Sequence, residues 1–109
     1  MFTKRSSDGY IEKLDGVFQK TITYGEKSLM VNVNFKENAT IPIHQHPHEQ
    51  TGFVLSGKLD FQINGEHLIA ETGDCWSIPG NIPHGARAIV ATSVIEVFHP
   101  IREDYLPEK

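Results

Sequence analysis

At 109 residues, with 39% hydrophobic and 22% charged side chains, the chain is sized for one folded domain with its own core, and its composition is neither disordered nor fibrous. A formal net charge of -4 and a pI near 5.8 argue against a phosphate-binding surface, so no nucleic-acid partner is expected. No apolar run approaches the length of a membrane helix, and the start MFTKRSSDGY lacks the apolar core of a secretory signal, so a cytoplasmic location is the expectation.

From Gly16 onward, short runs of period two alternate with turn residues. GVFQKTITY reads as an N-terminal strand segment. KSLMVNVNFK then puts Leu29, Val31, Val33 and Phe35 on one face and Met30, Asn32 and Asn34 on the other. IPIHQHPHEQTGFVLSG carries three of the six histidines ahead of an apolar run. KLDFQIN aligns Leu59, Phe61 and Ile63, and Asn64-Gly65 after it forms a tight hairpin turn, because both residues tolerate positive φ. DCWSIP reads as a buried strand in which Cys75 is a small core hydrophobe; as the lone cysteine it excludes an intrachain disulfide and fits a reducing compartment. The last run, TSVIEVFHPIREDYL, ends in a short tail. The whole gives about nine short strands and no long amphipathic helix, an all-β sandwich or barrel spanning residues 1–109 as one domain.

The histidines point to a metal. In a strand, residues i and i+2 share a side, so His44 and His46 both face the mouth of a barrel. Gln50 offers an amide oxygen from the following run, and His84 a third imidazole from another strand.

These residues resemble the cupins over about residues 25–100, which implies the double-stranded β-helix, a jelly-roll barrel. Asn38, His44, His46, Gln50 and Gly57 stand at the intervals of the first cupin motif, and Gly73, Pro79, Asn81, His84 and Ala88 at those of the second. Two motif glycines are Asn38 and Asn81, the next most tolerant residue of left-handed backbone. The terminal motif asparagine is Ala88, which removes a polar partner but no metal ligand. The motif glutamate is Gln50, and this changes the chemistry. Three neutral imidazoles and an amide leave one divalent ion its full charge, which favours an anionic substrate or an acidified water. The set lacks the two-His-one-carboxylate pattern of non-haem iron oxygenases, and it suits nickel, zinc, iron(II) and manganese alike. His48 is open to three roles: solvent-facing, substrate-holding, or supporting the ligands from behind. His67 and His99 follow no pattern and read as surface or packing residues.

Glu96 interrupts the apolar VIEVF. With Val94 and Phe98 it faces inward, where burial and a nearby cation tune it for proton transfer; the alternative is an edge-strand carboxylate paired with Arg87 or Arg102. Arg102 either clamps a substrate carboxylate or stitches the tail through Asp104.

HPHEQTGFVLSGKLDF, SIPGNIPHGA and FHPIREDYL carry a narrower resemblance, to the KdgF family of small pectin-degradation cupins. It implies metal ligands at His44, His46, Gln50 and His84. It also implies catalytic Glu96 (an aspartate in that family) and Arg102, with Phe98 and Arg102 against the substrate. The implied reaction opens 4,5-unsaturated uronates to the linear keto form. It implies a homodimer formed through the N-terminal strand, and a small anionic sugar as ligand. The competing expectations are a non-catalytic sugar- or effector-binding cupin and a metal-dependent dioxygenase.

Overall fold

The alternating runs become ten antiparallel strands in the computed structural model, which describes residues 1–107: β1 (Ile11–Leu14), β2 (Val17–Tyr24), β3 (Leu29–Phe35), β4 (Thr40–His44), β5 (Glu49–Ser56), β6 (Lys58–Ile63), β7 (Glu66–Glu71), β8 (Cys75–Ile78), β9 (His84–Ala88) and β10 (Thr92–His99). A single 3-10 turn, Glu103–Tyr105, follows β10. The strands form two sheets, β1-β2-β3-β10-β5-β8 and β4-β9-β6-β7, a jelly roll in which sequence neighbours often lie on opposite sheets.

Alternation decides what each sheet hides. Leu29, Val31, Val33 and Phe35 of β3 are buried, as are Val94 and Phe98 of β10, Val54 of β5 and Ile78 of β8. Leu59 and Phe61 of β6 meet them from the other sheet. Each fully buried side chain of this kind contributes about 1.5–3 kcal/mol of transfer free energy, so the inner faces hold the two sheets together. Asn32, on the outer face of β3, is also buried. It is covered by Tyr10, whose hydroxyl donates to Asn32 Oδ1 at 2.5 Å, while Asn32 Nδ2 donates to the Val94 carbonyl at 2.9 Å.

The turns follow their residue chemistry. Asn64 (φ 50°) and Gly65 (φ 86°) close the β6–β7 hairpin, and Asn38 (φ 68°) and Asn81 (φ 65°) hold the left-handed geometry of the motif glycines they replace.

Two expectations are corrected. The segment IEKL forms β1, which periodicity missed because all four of its residues are exposed and it buries no face. GVFQKTITY forms β2, which pairs with β3 from Val17 to Tyr24 and with β1 only over Val17–Gln19. Cys75 is exposed, because β8 turns Trp76 and Ile78 inward and leaves Cys75 and Ser77 outside at the sheet's edge.

Candidate metal and substrate site

His44, the last residue of β4, lies opposite His84, the first of β9, with ring centroids 4.4 Å apart. His46 corrects the strand reading, since β4 ends two residues earlier and His46 sits in the loop. The loop after β8 holds it there: the Asn81 N–H donates to the His46 carbonyl at 2.7 Å. The His46 ring then stands 4.9 Å from His84 and 5.6 Å from His44. The ligand-type atoms of the three rings lie within 4.8 Å of one another.

Backbone carbonyls set the tautomers. His44 Nδ1 faces the Pro42 carbonyl at 2.9 Å, His46 Nδ1 that of His48 at 3.0 Å, and His84 Nδ1 that of Ile82 at 2.8 Å. A carbonyl only accepts, so each Nδ1 carries the proton and each Nε2 keeps a free lone pair. Burial, with the Arg102 charge second, pushes His46 down to about 4, and burial likewise lowers His84. Both rings are therefore neutral near pH 7, the form that binds a metal.

Buried His46 Nε2, His84 Nε2 and Gln50 Oε1 have no hydrogen-bond partner among the described residues. Orphaned acceptors of this kind call for an ion or a donor between them, and two imidazole nitrogens with an amide oxygen suit a divalent metal. Gln50 is orientated from behind: its Nε2 donates to Glu96 Oε2, which turns Oε1 toward the imidazoles.

His44 and His84 line a cavity of about 430 Å³, with Gln50, Trp76, Glu96, Phe98, Arg102 and Tyr105 among its other residues. Glu96 sits on β10, which lies between β3 and β5, so it is neither on an edge strand nor paired with Arg87 or Arg102. Arg87 instead donates to Asn38 Oδ1 at 3.2 Å. The Glu96 carboxylate accepts from Gln50 and, at 3.2 Å, from Trp76 Nε1. Burial pushes its pKa up to about 7, against the opposing pull of those two donors and of Arg102.

Arg102 reaches the tail and also lines the cavity. Its Nη2 donates to Asp104 Oδ2 at 2.9 Å, and its guanidinium lies 3.9 Å over the Tyr105 ring and 5.2 Å from that of Phe98, facing the cavity. Partial burial raises the Asp104 carboxyl, but the hydrogen bond and charge of Arg102 outweigh it and the group is held below its usual range.

Residues 31–98 match the cupin domain family. The chain is 36% identical over 94 residues, 84% of its own length and 86% of the relative's, to the pectin degradation protein KdgF of Dickeya dadantii (strain 3937). The chain belongs to the cupin family.

Among solved structures, this cupin superposes on KdgF from Halomonas sp. with a TM-score of 0.91 at 29% identity, covering 97% of this chain and 98% of that one. An RmlC-like cupin from Shewanella frigidimarina shares the fold at a TM-score of 0.87 and 23% identity, covering 92% and 90%. The cupin's three-histidine cluster can bind a metal. The His48 backbone carbonyl accepts a hydrogen bond from His46 Nδ1, and the His48 ring lies 5.7 Å from that of His46. His67 pairs with Asp60 at 3.1 Å on the surface, and His99 is exposed. Sequence reading overlooked Trp76, Gly52 and Tyr105. A glycine inside an apolar strand run and the chain's single tryptophan were the available signals.

Proposed function

We propose that the cupin is a metal-dependent enzyme that opens 4,5-unsaturated uronates, the products of pectin or alginate cleavage, to linear keto acids. The observation that carries the reading is a set of three unsatisfied acceptors (His46 Nε2, His84 Nε2 and Gln50 Oε1), of which His84 and Gln50 line a cavity that also holds a carboxyl and a guanidinium. Its similarity to KdgF, which bears the name of a pectin degradation protein, supports a substrate from pectin breakdown.

His44, His46, Gln50 and His84 hold one divalent ion per chain, either nickel, zinc, iron or manganese. Bound there, the ion supplies a Lewis acid with its charge uncancelled by any carboxylate ligand. Arg102 takes the substrate carboxylate, presented on the Tyr105 ring and steadied by Asp104. Phe98 forms the apolar wall against the sugar ring. Glu96 delivers a proton to C4 of the enol ether and recovers one from the anomeric hydroxyl. As that hydroxyl becomes the aldehyde, the C1–O5 bond breaks, O5 becomes the ketone oxygen at C5, and atoms and protons balance without a redox cofactor.

The direct test is the ultraviolet absorbance of the conjugated uronate. Metal-replete protein should speed its loss well beyond spontaneous opening for an unsaturated galacturonate or mannuronate; decay at the uncatalysed rate for both would end the ring-opening reading. Saturable uronate binding without turnover would identify an effector-binding cupin instead.

Arg102→Ala tests the clamp. Metal content should stay intact while kcat/KM falls on the order of a hundredfold, carried mainly by substrate positioning. The Asp104 pair is exposed at its acidic end, so its loss should cost little stability. A variant that melts earlier yet turns over normally per folded molecule would assign Arg102 to the tail alone. The proposal includes a homodimer, whose sedimentation mass should be twice that of the chain; β1, at one edge of the six-stranded sheet, offers a backbone edge for such pairing.

A further inference from the structure

We infer that Trp76 is a positioning residue for Glu96, and that Gly52 is the gap through which it acts. The inference rests on the proposed use of Glu96 as the proton carrier.

The three residues form one row across three neighbouring strands. Glu96 of β10 lies opposite Gly52 of β5, and Gly52 lies opposite Trp76 of β8. Adjacent strands are about 4.8 Å apart, so an acid and a donor separated by a whole strand do not ordinarily touch. Here Trp76 Nε1 reaches Glu96 Oε2 at 3.2 Å. The indole crosses over the β5 backbone to do so. A Cβ at position 52 would stand 2.2 Å from Trp76 Cε2, 2.3 Å from Cζ2 and 2.4 Å from Nε1. Gly52 is not in the left-handed region, so space rather than backbone freedom requires the glycine.

The crossing ring is itself held. Phe61, from the opposite sheet, packs against it with ring centroids 4.8 Å apart. Two donors, Gln50 Nε2 and Trp76 Nε1, therefore converge on the single oxygen Oε2 of Glu96, and Oε1 accepts no hydrogen bond among the described residues. A glutamate has three side-chain torsions and would otherwise sample several rotamers. Anchoring one oxygen from two directions fixes the other against the cavity, where a misplacement of about 1 Å is enough to cost a large factor in rate.

Two variants isolate this role. Trp76→Phe keeps an aromatic ring on the Phe61 side and removes the N–H together with one ring of the indole. It should lower kcat about tenfold per folded molecule, with KM within about twofold of wild type and with bound Zn²⁺ unchanged. Gly52→Ala keeps every functional group and displaces the indole, so it should lower kcat to a similar degree. Because the two act through one contact, the double variant should lose no more than Trp76→Phe alone.

Trp76 is the only tryptophan, so its fluorescence reports the contact without any turnover. Its emission should shift in Glu96→Ala, which removes the carboxyl acceptor, and in Gly52→Ala. Failure of wild type to open uronates would overturn the reaction and leave the emission shifts to decide the contact. Undiminished kcat in Trp76→Phe, or wild-type emission in both Glu96→Ala and Gly52→Ala, would overturn the positioning role.

Discussion

Replacing Glu96 by Gln should slow the loss of uronate absorbance by about 10²- to 10⁴-fold, the range of a deleted general acid or base, while metal stays bound. The structure makes this substitution selective. The amide oxygen of a glutamine can still accept from Gln50 and Trp76 as the carboxylate does, so the Gln50 amide keeps Oε1 toward the imidazoles and only the exchangeable proton is lost. Glu96→Asp separates chemistry from reach. It retains the acid but withdraws the carboxylate by one methylene from the two donors that anchor it, so it should retain more activity than Glu96→Gln. Equal rates for wild type and Glu96→Gln would remove Glu96 from proton transfer. Metal loss in Glu96→Gln would instead show that the carboxylate acts through the ligand it orientates.

Chelation should lower the melting temperature, and His46→Ala should abolish that response. An ion that binds only the folded chain stabilises it by about 4 kcal/mol at a thousandfold excess over its dissociation constant. The expectation follows from the pre-set tautomers: three Nδ1 protons committed to backbone carbonyls leave three Nε2 lone pairs available before any ion arrives. His46 is the informative position, because its backbone is pinned by Asn81 and its removal vacates one ligand place without disturbing β4 or β9. Elemental analysis of protein purified without a histidine tag should find one ion per chain in wild type and none in His46→Ala. Stoichiometric metal in a chain lacking both His46 and His84 would place the ion elsewhere.

Much of this was written locally. The alternation in KSLMVNVNFK determined which face of β3 is buried, and Asn64-Gly65 determined a hairpin, because side-chain direction and positive φ are properties of neighbouring residues. The spacing of His44, His46, Gln50 and His84 likewise marked the residues that the fold gathers, along with an inward Glu96.

Tertiary structure decided the rest. Cys75 is outside although its segment is apolar, because the pleat of an edge strand, and not composition, chooses the side. Glu96 is held by Gln50 and Trp76 and not by an arginine, because β10 lies between β3 and β5, with β8 one strand further on. Arg102 reaches Asp104, Tyr105 and the cavity at once only where the chain folds back after β10. A strand's period states which residues share a face, but the residues that meet across strands depend on register, and register is set by long-range pairing and sheet closure. The row of Glu96, Gly52 and Trp76 therefore exists only once β10, β5 and β8 lie side by side.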